Sequence, residues 1–215
     1  MKKKKLKFMI IITLLLATLA CNSFAYNLFY GHPTTKNLSY YTNDMTSDQR
    51  LATIYAATAW SNVSNGITFT RSGDSTGFVY FNDARSDITF DDFANYIDYY
   101  VPQNASGFCS VTQDNNYNKF DIIMNTNSTC NWGDGNSSSY FDRQGTVTHE
   151  LGHAAGLAHN NSIPGGGSPQ NTSPSLYQTM YYSVNDSMGN NLTYHWRTLE
   201  SDDISGVQAV AAKIK

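Results

Sequence analysis

The chain runs to 215 residues, 40% of them hydrophobic and 13% aromatic, with a formal charge of −3. That aromatic content excludes a disordered polymer, and the length suits one domain that buries a sizeable core. The acidic balance, deeper once the lysine-rich start is set aside, argues against nucleic acid or an anionic membrane surface as partner.

Residues 1–25 read as an export signal. Lys2, Lys3, Lys4, Lys5 and Lys7 form a basic end, residues 8–20 an apolar run too short to span a bilayer, and Ser23 and Ala25 sit at the cleavage positions. Cleavage there leaves residues 26–215 as one domain, in which nine basic residues face seventeen acidic ones, a charge of −8. Secretion is the expected destination, with a periplasmic or lipid-anchored protein as the alternative that Cys21 leaves open. Only that anchor would put the mature chain on a membrane. Cys109 and Cys130 then remain as a pair, expected to form a disulfide in an oxidising compartment.

Residues 38–41 look like a strand. Thr46 with Gln49 three residues on is a capping-box start, and Leu51, Ile54, Tyr55 and Thr58 mark a helical face running to about Ser61. Residues 67–70 and 78–81 alternate as half-buried strands. This strand–helix–strand order predicts an α/β fold with parallel strands joined by a crossover. Between residues 83 and 103 no clear pattern emerges. Asp83, Asp87, Asp91 and Asp92 lie there as candidate calcium ligands, without an EF-hand order. Residues 107–112 and 120–125 read as further strands, 130–140 as a glycine- and serine-rich loop, and Asp142 as the cap of a helix over 144–157. Residues 163–174, rich in glycine, proline and serine, are loop.

The helix over 144–157 carries His149, Glu150 and His153. Histidines four apart rise from one helical face, about 5–6 Å apart at Cβ, and can close on one Zn²⁺. Gly156 can take the left-handed conformation that ends the helix, and the turn lets His159 return to the same ion. Three protein ligands leave a fourth position for water, the mark of a catalytic zinc. Glu150 is poorly aimed to be a ligand and belongs beside that water as general base. A His–Glu pair on a helix is commonly a solvated face. Here, however, three of the chain's five histidines and one of its two glutamates fall within eleven residues at ligand spacing.

At these residues the chain resembles the metzincin metallopeptidases, whose signature is HExxHxxGxxH followed by a methionine-containing turn. Gln178, Thr179, Met180, Tyr181 and Tyr182 are the candidate turn, Met180 standing twenty-one residues after His159. Leu199, Asp202, Asp203, Ile204, Gly206, Val207 and Gln208 match the last-helix pattern of the matrixin branch. The resemblance implies a metzincin-like zincin domain over 26–215. Such a domain has a twisted, mostly parallel five-stranded sheet with an antiparallel edge strand, an active-site helix and a C-terminal helix. It implies one catalytic zinc on His149, His153 and His159, catalysis by Glu150, and Met180 as an apolar floor beneath the metal. By order along the chain, Gly107, Phe108, Cys109, Ser110 and Val111 become the edge strand that pairs with substrate. Tyr182 departs from the matrixin pattern, which has proline there. Other metzincin branches place a tyrosine at that point, where it approaches zinc or the transition state. Asp202 and Asp203 are implied to anchor the last helix, one of them on the methionine turn. The histidines of a second, structural zinc are absent, and no long inhibitory propeptide is expected.

The resulting expectation is a secreted, monomeric zinc endopeptidase acting on protein or peptide. Two alternatives stay open. One is a zinc hydrolase of narrow substrate, such as a peptidoglycan peptide or a side-chain amide. The other is an inactive zinc-containing binding protein, against which the retained Glu150 argues.

Overall fold

The computed structural model describes residues 27–28, 31–81, 83–99, 101–111, 116–137, 139–159, 178–181 and 191–215. The export signal, Cys21, the loop over 163–174 and Tyr182 lie outside the described residues.

Strand β1 (Asn27–Leu28) precedes β2 (Asn37–Asn43), whose alternating burial comes from Leu38 and Tyr40 facing inward. Thr46 then opens helix α1 (Ser47–Ser61) through the expected capping box: its N–H donates to Gln49 Oε1 at 2.9 Å, and Gln49 N–H returns to its hydroxyl at 3.4 Å. The chain crosses to β3 (Thr68–Ser75), which pairs parallel with β2. Strands β4 (Asp87–Asp91), β5 (Gly107–Ser110) and β6 (Asp121–Asn125) complete a five-stranded sheet in the order β3-β2-β4-β6-β5. All its pairings are parallel except β5 with β6, where Phe108 stands opposite Ile123. The expected architecture of a mainly parallel sheet with an antiparallel edge strand is therefore present.

Two small ladders follow. Strands β7 (Trp132–Gly133) and β8 (Phe141–Asp142) pair with each other, and β9 (Leu157–Ala158) pairs antiparallel with β1. Helix α2 (Arg143–Ala154) lies between β8 and β9, and α3 (Ser201–Lys213) closes the chain. One core sits between the sheet and the helices, built from Leu38, Ile88, Ile122 and Met124 of the sheet with Ala56, Trp60, Val147, Leu151 and Val210. A smaller core lies on the other sheet face, where Ile123 meets Val79, Phe93 and Tyr96.

Three expectations need correction. Residues 78–81 are not a strand: their aromatics pack on a 3-10 segment (Phe93–Tyr99), Phe78 stacking on Tyr96 with centroids 4.7 Å apart. The place in the sheet belongs instead to β4, hidden in sequence because it is bounded by Asp87 and Asp91. Asp87 is tolerated inside because Ser75 Oγ donates to it at 2.6 Å and Arg85 Nε pairs with it at 2.6 Å. The buried face of α1 is also different. Leu51 and Tyr55 are about half exposed, whereas Ala52, Ala56, Ala57 and Trp60 face inward. Small side chains let α1 approach α2 closely, and Trp60 Nε1 donates to Thr148 O at 2.8 Å. Finally, Cys109 and Cys130 are free thiols. Cys109 stands opposite Ile122, three residues back from the end of β6, while Cys130 lies in the turn that follows that strand. Cys109 packs against the core between sheet and helices instead of bonding to Cys130.

Candidate metal centre

Helix α2 is buried along nearly its whole length, so each of its side chains has a fixed neighbour. Its first turn is set by Asp142, as expected, whose carboxylate accepts the Gly145 N–H at 2.8 Å. The same carboxylate takes Arg197 Nε at 2.8 Å, tying the helix start to the C-terminal 3-10 turn His195–Arg197. Gly145 is pressed against that region, since a Cβ there would lie 1.7 Å from Thr193 O. At the other end the helix stops at Ala154, three residues earlier than expected. Gly156 then adopts φ +96° and turns the chain into β9, which delivers His159.

The outcome is convergence. His149 Nε2 and His153 Nε2 lie 3.1 and 3.2 Å from His159 Nε2. Among the described residues this is the one cluster of three histidine, cysteine or acidic side chains whose ligand atoms gather closely enough to hold a metal ion. The outer ring nitrogens settle the tautomers: His149 Nδ1 meets Thr179 O at 2.6 Å and His153 Nδ1 meets Leu157 O at 2.8 Å. A carbonyl can only accept, so both Nδ1 atoms carry the proton and both Nε2 atoms turn lone pairs inward. Lone pairs so close repel unless a cation lies among them. Tetrahedral zinc at roughly 2.0–2.1 Å from each nitrogen would space them about 3.3 Å apart, so the donor set fits that ion. Burial, with His153 next, pushes His149 down to about 3. Burial likewise lowers His153 to about 4 and His159 well below its usual value. The imidazoles are thus neutral at pH 7, as ligation requires.

Glu150 faces the edge strand. A Cβ built on Gly107 would lie 2.6 Å from Glu150 Oε1. Burial pushes the Glu150 carboxyl up to about 8, and a hydrogen bond from the Cys109 main-chain amide offsets part of the rise. A cation on the histidines would draw it back down. Among the described residues, strand β5 has β6 as its one neighbour in the sheet. Asn125 N–H donates to Ser106 O, so by the alternation of an antiparallel ladder the peptide groups of Gly107 and Cys109 turn away from β6. Ser110 ends the strand and Val111 lies just past it.

Met180 is buried beneath the helix, where its Sδ would lie 2.2 Å from a Cβ on Gly152, the residue before His153. Asp203 accepts the Thr179 N–H at 3.2 Å and the Glu200 N–H at 3.0 Å, so the last helix is anchored on the methionine turn as expected. The four aspartates considered for calcium do not gather. Asp87 is held by Ser75 and Arg85, and Asp91 by the Tyr96 hydroxyl at 3.0 Å and Asn95 Nδ2 at 2.9 Å.

Sequence reasoning missed Trp196. Its ring stacks on His149 with centroids 4.6 Å apart and planes 27° from parallel, and it is 1% exposed. Thr179 O and Leu157 O were equally invisible, being main-chain atoms. Arg197, the partner of Asp142, lies 55 residues from it, too far for any local pattern to show.

No family model matches this chain, and no curated protein matches it in sequence. Among solved structures it is similar to the GM1-bound form of the ECX AB5 holotoxin, with a TM-score of 0.46 and 14% identity over 87% of this chain and 89% of that one. It is also similar to myroilysin, with a TM-score of 0.42 and 16% identity over 85% of this chain and 93% of that one. Neither likeness bears on what this chain does.

Proposed function

We propose that this chain is a secreted zinc-dependent endopeptidase of matrixin-like form, acting as a monomer on protein or peptide substrates. One observation carries the reading: the neutral imidazoles of buried His149 and His153 and of part-buried His159 converge through Nε2, with the buried Glu150 carboxylate beside them at the outer strand of the sheet. His149, His153 and His159 would hold the ion. Bound there, zinc supplies Lewis acidity toward a carbonyl and toward water.

The remaining work falls to the chain's own groups. Thr179 O and Leu157 O keep two imidazoles in the ligating tautomer. The outward peptide groups of Gly107 and the outward carbonyl of Cys109 receive an extended substrate by main-chain hydrogen bonds, the Cys109 amide being engaged by Glu150. Glu150 accepts a proton from water as its oxygen bonds to the scissile carbonyl carbon. It then delivers that proton to the leaving nitrogen as the carbon–nitrogen bond breaks. No serine or cysteine nucleophile is required.

The test is cleavage of denatured casein by the zinc-loaded mature chain, with and without chelator, beside Glu150→Ala. The expected outcome is chelator-sensitive cleavage, reduced about 10²–10⁴-fold in Glu150→Ala while that variant still binds one zinc. Stoichiometric zinc without cleavage of any unfolded protein would overturn the general-endopeptidase reading.

A further inference from the structure

Gly107 opens β5 with an ordinary negative φ, so its backbone conformation does not call for glycine. Glycine inside a strand is unfavourable for chain entropy and leaves nothing to pack. The reason for it here lies across the gap. A methyl group at this position would sit 2.6 Å from Glu150 Oε1, 2.9 Å from its Cγ and 3.0 Å from its Cδ, closer than non-bonded atoms approach. All three atoms belong to one flexible side chain. Introducing a methyl therefore displaces the carboxylate and leaves the sheet and helix where they are.

We infer that Gly107 is a positioning residue, whose missing side chain seats the Glu150 carboxylate against the substrate edge. This deepens the endopeptidase reading and rests on it. Alternation along β5 turns Gly107 and Cys109 toward α2, while Phe108 packs on the opposite sheet face. The Cys109 amide draws the carboxylate toward the strand, and the bare Gly107 position leaves it room to lie there. Together they hold the general base beside the peptide groups on which a substrate would lie. A base displaced by a methyl radius loses its line to the attacking water, while substrate pairing and the histidine ligands are untouched.

The experiment compares the full mature chain with Gly107→Ala, loaded with zinc alone. The expected result is a kcat at least about 10-fold lower, KM within about 2-fold, one zinc per chain and an unchanged melting temperature. Repeated in a Glu150→Asp background, whose carboxylate is one methylene shorter, the same substitution is expected to change kcat less than about 2-fold. Full activity in Gly107→Ala, additive effects in the double variant, or a parallel loss of zinc and stability would each overturn the assignment. A wild-type chain that cleaves nothing would sink the endopeptidase reading instead. Hydrogen exchange of the Cys109 amide then still decides the role of Gly107. Exchange accelerated in Gly107→Ala as in Glu150→Ala supports it, and exchange unchanged from wild type overturns it.

Discussion

The two histidines that helix α2 gives to the candidate metal site have the same chemistry and opposite kinds of support. His153 Nδ1 is held by Leu157 O, four residues on, within the turn that Gly156 creates. His149 Nδ1 is held by Thr179 O, thirty residues on, and its ring is covered by Trp196. Thr179 in turn donates its hydroxyl to Thr198 O at 2.9 Å and its N–H to Asp203. One histidine is thus positioned by local backbone geometry and the other by Thr179 and Trp196, thirty and forty-seven residues further along the chain. The lesson is that the candidate metal site joins two parts of the molecule. Damage to the segment from Thr179 to Asp203 is expected to disturb His149 before His153.

The largest way to break this asymmetry is Trp196→Ala. Loss of the buried indole is expected to cost about 3–5 kcal/mol of stability. Zinc affinity should fall about 10–100-fold because His149 loses its covering ring. Thermal melting and a zinc titration with a competing chelator check both. Trp196→Phe, which keeps a ring on His149, should recover most of the affinity.

Next comes Arg197→Met, which leaves the buried Asp142 carboxylate without its cation. Since Arg197 is about one quarter exposed, the loss should lie at or below the roughly 3–5 kcal/mol typical of a broken buried pair. His149 should respond more than His153, which would appear as unequal shifts of their ring resonances.

A smaller effect comes from pH. Burial first, and Asp202 second, push the Asp203 carboxyl from 3.8 up to about 7. Between those values the folded chain holds a proton that the unfolded chain has released, so stability falls as pH rises from about 4 to about 7. Asp203→Asn still offers an oxygen to the Thr179 and Glu200 amides and should flatten that decline. The melting temperature of the variant relative to wild type should therefore climb with pH; a constant difference would show that Asp203 does not titrate there.

The smallest is Thr46→Ala at the start of α1, remote from the metal. It should cost about 1 kcal/mol through the lost cap, with zinc affinity and turnover unchanged.

Much of the site was legible in sequence because it is local. Helical periodicity puts His149 and His153 on one face, a glycine at positive φ brings His159 back, and capping residues Thr46 and Asp142 mark the starts of α1 and α2. The order strand, helix, strand foretold the parallel crossover, and the resemblance foretold the antiparallel edge. What the residues could not reveal was non-local. Strand β4 carries a charged residue that becomes bearable only beside Ser75 and Arg85. The buried stripe of α1 is alanine, not leucine, because α2 lies so near. Cys109 and Cys130 look like a pair by count, but in the fold both are free thiols and Cys109 packs on the core.

The sequence by itself therefore determined the three-histidine cluster and the glutamate beside it, since those depend on spacings of one to six residues along one backbone. Only the tertiary structure decided what holds them. The carbonyl on His149, the ring of Trp196 and the empty place at Gly107 are set by segments tens of residues apart, and they meet only when the core closes.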